Sequence, residues 1–123
     1  MKSSSAAILL SDSGTAQFLG NSLSRTFHSV YLAGSVEDLR NAVAKHRSAV
    51  VVVDIEIASV IDVKQLCRDF PKTRIVCTHR VADEAMWMRV MEAGAADLCP
   101  SSDSHGILSA AIHHAVGARS AAA

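Results

Sequence analysis

Two acidic residues stand behind apolar runs. Asp12 follows Ala6-Ala7-Ile8-Leu9-Leu10 with Ser11 between, and Asp54 follows Ala49-Val50-Val51-Val52-Val53 directly. Thr78 comes after Ile75-Val76-Cys77, and Ser101-Ser102 come after the short run Ala96 to Cys99. If those runs are strands of one sheet, two carboxylates and several hydroxyls meet at one edge. Paired carboxylates repel unless something offsets them, and a hard divalent cation with oxygen ligands is the natural partner. Asp12 has another role open to it, as the cap of a helix beginning near Ser13. Asp54 is harder to read as an ordinary loop residue, because four valines lead straight into it.

Other chemistries find little support. Gly14 and Gly20 fit neither a dinucleotide fingerprint nor a P-loop. No Ser-His-Asp or Cys-His pairing follows from spacing. Cys77 and His79 share a side of their strand, with Cys99 near, but none has ligand-pair spacing. Buried cysteines acting as small hydrophobes are the simpler expectation. His113 and His114 are adjacent, point in different directions on a helix and cannot chelate together; both are expected at the surface.

The elements that must position these residues alternate. Ala6 to Leu10, His28 to Ala33, Ala49 to Val53, Ile75 to Cys77 and Ala96 to Cys99 read as strands. The third is continuous and β-branched, as expected of a parallel strand covered on both faces. Between them lie helical stripes: Ala16, Leu19 and Leu23; Val36, Leu39 and Val43; Val63, Leu66, Cys67 and Phe70. Ser35 with Asp38 forms a near capping box. A fourth helix spans Ala82 to Ala93, with Gly94 as its C′ glycine. A fifth, with Ile107 or Leu108 and then Ala111, Ile112 and Ala115, is capped by Ser102, Asp103 or Ser104. The order (βα)5 predicts a doubly wound, five-stranded parallel α/β sheet with strand order 2-1-3-4-5.

The 123 residues suit one domain, and 50% hydrophobic content with 20% charged residues excludes a disordered or low-complexity chain. Residues 1–5 are expected to be disordered and 6–116 to form the domain. Residues 117–123 read as a tail or the start of a linker to an output domain. Formal net charge is zero, so no footprint for nucleic acid or an anionic membrane is expected. Three cysteines without a C-x-x-C suit a reducing compartment, and no targeting or membrane-spanning segment is apparent. A cytoplasmic protein is expected.

The chain resembles the receiver domain of two-component response regulators, the CheY-like fold. The resemblance runs from Ala6 to Val116 and rests on ILLSD, AVVVVDIE, RIVCT and MEAGAADLCP in that order. It implies that Asp54 is the candidate phosphoacceptor, served by a histidine kinase or another signalling protein. It implies Mg²⁺ held by Asp12, Asp54 and the backbone carbonyl of Glu56, with Thr78 touching the phosphoryl oxygens. The departures are specific. Ser11 stands where the pattern has a second acid, Ser101 where it has a Lys, and Ser102 where a Pro follows. Leu98 replaces a switching aromatic, and His79 follows Thr78 where a small residue is usual. A degenerate receiver is therefore expected, with Mg²⁺ binding weak or absent, signalling through protein contacts rather than acting as an enzyme. The alternatives are a small-molecule-binding or enzymatic α/β domain, or a STAS-like regulatory domain.

The fourth helix is apolar over more than one face. Met86 and Val90 suit the core, whereas Trp87, Met88 and Met91 cannot all join them. A partner surface is expected there, for a homodimer or an output domain.

Overall fold

In the computed structural model, which describes residues 4–122, strands and helices alternate without exception. They are β1 (Ser5–Leu9), α1 (Ser13–Leu23), β2 (Ser29–Leu32), α2 (Val36–His46), β3 (Val50–Asp54), α3 (Val60–Asp69), β4 (Arg74–His79), α4 (Glu84–Glu92), β5 (Asp97–Pro100) and α5 (Ser104–Ala122). All neighbouring strands pair in parallel, in the order β2-β1-β3-β4-β5. This is the expected doubly wound sheet.

Side chains of successive strand residues point to opposite faces, so each central strand feeds two cores. Ala7, Leu9, Val51, Val53, Ile75 and Cys77 pack with Leu39, Val43, Val63, Leu66 and Val90, which places α2, α3 and α4 on one side. Ala6, Ile8, Val50, Val52, Val76 and Cys99 pack with Leu19, Leu23, Phe27, Ile107 and Ala111, which places α1 and α5 on the other. Cys77 and Cys99 therefore lie close, on paired strands, but on opposite faces of the sheet. Burial pushes the Cys77 thiol up to about 12 and the Cys99 thiol up to about 11. Both sit in the cores as small hydrophobes.

Each helix start has a side-chain acceptor for its free amides. Asp12 accepts from the Thr15 amide, Ser35 from Asp38, Ser59 from Asp62, Asp83 from Met86 and Asp103 from Gly106. The near box at Ser35 does not close, because Asp38 turns to the Gly34 amide instead. The closed capping box is Ser59 with Asp62. Gly94 follows α4 at φ +107° with its amide bonded to the Met91 carbonyl. A Cβ there would lie 3.0 Å from the Cys67 Cβ, so both backbone and space require glycine.

Two boundaries and the burial of one side chain differ from expectation. Ser5, expected in a disordered terminus, is a buried strand residue whose hydroxyl reaches the His46 carbonyl and the Ser48 hydroxyl. A polar residue at a strand end carries no hydrophobic signal, yet its ladder bonds hold it; residues 1–3 lie outside the described residues. The stretch from Gly117, expected as a tail or the start of a linker, continues α5 to Ala122. Its alanines are the best helix formers, so small size there favours a helix rather than fraying. Residue 123 lies outside the described residues. His114, expected at the surface beside exposed His113, is half-buried with Nε2 3.1 Å from Asp97 Oδ2.

Candidate functional site

The carboxyl ends of β1, β3, β4 and β5 open onto one cleft of about 310 Å³. Parallel pairing brings them level: Asp54 is the register partner of Thr78, and Thr78 of Cys99. Asp12, Asp54, Glu56, Thr78 and Ser101, singled out in the sequence, all line this cleft, with Ser11, Thr15, Arg80 and Ser102.

Asp54 is 2% exposed, and both carboxylate oxygens already have donors. The Ser11 hydroxyl donates to Oδ2 at 2.5 Å, and the Glu56 amide donates to Oδ1 at 2.8 Å. Asp12 faces solvent and caps α1, its Oδ2 accepting from both the hydroxyl and the amide of Thr15. Those two bonds hold its carboxyl below the ordinary value, the hydroxyl contributing most. Thr78 is fully buried and its Oγ1 has no partner. A buried unpaired hydroxyl is uncommon and is explained if it serves something entering the cleft. Ser101 is placed by its amide, which donates to the His79 carbonyl across the β4–β5 edge.

Arg80 was not singled out by the sequence, although it had a signal. It lies two residues after Thr78, and period-two alternation puts both on one side of the chain. Its guanidinium Nε and its backbone amide both donate to Glu56 Oε1, at 3.2 and 2.9 Å. His79, which follows Thr78 where a small residue is usual in receivers, does not line the cleft. Its Nδ1 accepts from the Val81 amide, and its Nε2 stays 3.9 Å from Glu56 Oε1.

A Mg²⁺ ion, which the receiver resemblance implies, needs near-octahedral oxygen ligands. The residues present do not fit it well. Asp54 accepts a hydrogen bond on each oxygen, Asp12 is turned to a helix cap through Oδ2, and the position beside it is a serine. Among the described residues, no three His, Cys, Asp or Glu side chains come together as a metal site.

Away from the cleft, α4 divides as its sequence pattern suggests. Val90 is buried and Met86 packs against the core. Trp87 and Met88 are 45% and 50% exposed, Val81 just before the helix is 59% exposed, and Met91 is half-buried. No helix among the described residues is long and apolar enough to cross a membrane.

No family model matches the chain, and no curated protein matches it. Solved structures do. The N-terminal signal receiver domain of a two-component response regulator from Bacteroides fragilis superposes with a TM-score of 0.80 at 19% identity, covering 91% of this chain and 96% of that one. A CheY-like response regulator receiver domain protein from Methanospirillum hungatei gives 0.81 at 11% identity, over 95% and 97%. The RcsB response regulator of Salmonella typhimurium, described for its interaction with DNA, gives 0.78 at 16% identity, over 92% of this chain and 59% of that longer one. The class is thereby set: an α/β sheet of flavodoxin-like order. Within that class the chain has the CheY-like fold of response-regulator receiver domains.

Proposed function

We propose that this chain is a receiver module of two-component signalling whose phosphorylation site is degenerate, so that it signals through protein contacts from one held conformation. The observation that carries this reading is the commitment of every carboxylate in the cleft to an internal partner. Asp54 is held by Ser11 and the Glu56 amide, Asp12 by Thr15, and Glu56 by Arg80. Asp54 remains the candidate phosphoacceptor, at the end of the central strand. Ser101 supplies no charge to draw a phosphoryl group toward it.

Acetyl phosphate should label the protein slowly or not at all. Beryllofluoride with Mg²⁺ should produce only weak, unsaturated changes in amide NMR shifts. Tight saturable binding that disappears in Asp54→Asn would identify a working phosphoacceptor and overturn the degenerate reading.

The partners in this reading are a histidine kinase or other signalling protein and, on α4, an output domain or a second copy of the chain. Trp87 and Met88 are large, exposed and adjacent to half-buried Met91. Aromatic and methionine side chains commonly anchor interfaces. Replacing Trp87 and Met91 by Ala should weaken self-association about tenfold, the scale expected when an interface anchor is truncated. Sedimentation across a concentration series checks it; a wild-type chain that stays monomeric at the highest concentration removes the homodimer.

A further inference from the structure

Arg80 is the one lysine or arginine lining the cleft among the described residues, together with Asp12, Asp54 and Glu56. Its side chain is 79% exposed, so the guanidinium has room to swing, yet Glu56 Oε1 takes both its Nε and its backbone amide. Glu56 thereby ties the turn after β3 to the loop after β4. The Thr78 hydroxyl, buried and without a partner, lines the same cleft and supplies an unused donor beside Asp54. A positive charge and a spare hydroxyl are what a tetrahedral anion at Asp54 would need, and Ser101 offers no cation of its own.

We propose that Arg80 is the anion-contacting cation of this cleft, and that the Glu56 carboxylate is its internal competitor. Resting on the receiver reading, this places a second brake on the site besides the loss of a lysine. While Glu56 holds the guanidinium through Nε, its charge is turned to a carboxylate, and an anion at Asp54 meets less of it. Once Glu56 lets go, Arg80 turns to the anion. An exposed ion pair is weak, so the brake is modest and reversible.

Glu56→Gln keeps an acceptor for the Arg80 amide, and so keeps the loop, while removing the charge that holds the guanidinium. Beryllofluoride with Mg²⁺ should bind this variant roughly two- to fivefold more tightly than wild type, read from amide shifts. Adding Arg80→Gln should abolish that gain. A gain that survives in the double variant would come from lost negative charge alone and would overturn the proposal, as would no gain in Glu56→Gln. Both positions are on surface loops, and an unchanged amide spectrum without beryllofluoride shows that each variant is folded. Asp54→Asn in the Glu56→Gln background tests the receiver reading separately: binding that persists removes Asp54 from the site. The Arg80 comparison is drawn only among variants that keep Asp54.

Discussion

Placing Asp at Ser11 and Lys at Ser101 together should turn a weak response to beryllofluoride and Mg²⁺ into saturable binding, at least about tenfold tighter. Ser11 touches Asp54 directly, so an aspartate there sets a second carboxylate against the first. Asp54 then loses its hydroxyl donor and gains a like charge. A divalent cation relieves both. Ser101 already lines the cleft, with its backbone fixed to His79, so a lysine side chain from that position enters where the anion would sit. One added opposite charge at about 4 Å contributes up to ~4 kcal/mol in a partly solvated site before desolvation is subtracted. A net gain of even a third of that is a factor of about ten. Isothermal titration or amide shifts check it. A folded double variant that stays as weak as wild type would show that something other than these two positions silences the cleft.

Phe27→Ala should destabilise the fold by roughly 3–5 kcal/mol. Phe27 is 1% exposed and is the largest of the fully buried side chains. It follows α1, its amide bonded to the Leu23 carbonyl, and fills the core beneath α1 and α5 with Leu19, Leu23 and Ile107. Truncation removes an aromatic ring from a face that includes alanines, which have little side chain to move into the gap. Against a typical domain stability of about 5–15 kcal/mol the loss is severe. Denaturant unfolding should show a lower midpoint with an unchanged slope. Ile61→Ala, at a position 68% exposed, is the control and should change stability by less than about 0.5 kcal/mol. A loss at Phe27 no larger than the control's would mean that this face repacks freely.

Phe27 has no mark in the sequence, and Arg80 has only its place two residues after Thr78; the reasons differ. Phe27 lies in the connection after α1, outside both the helical stripe and the next strand, so no periodicity marks it as core. Arg80 is an exposed arginine of ordinary appearance. Its importance comes from a contact with Glu56 that depends on two loops meeting across the sheet edge. What the sequence did carry were local signals. Four valines before Asp54, the stripes at Leu19/Leu23 and Leu39/Val43, and Gly94 after an apolar helix each follow from one element's own geometry. Asp12, Asp54, Thr78 and Ser101 were legible because strand ends in such a sheet share one edge, and Glu56 only through the family resemblance. Hydrogen-bond partners were not, since the bond between Ser11 and Asp54 links the connection after β1 to the end of β3.

The alternation along β3 has a consequence for how the molecule comes apart. Val51 and Val53 belong to one core while Val50 and Val52 belong to the other, so a single strand is the common wall of both compartments. Losing either helical layer would bare half of that wall to water, which couples the two halves into one cooperative unit instead of two that melt in turn. Subglobal opening is then confined to the rim, where the connecting loops are, and the backbone amides of the central strand are released to solvent only when the whole chain unfolds.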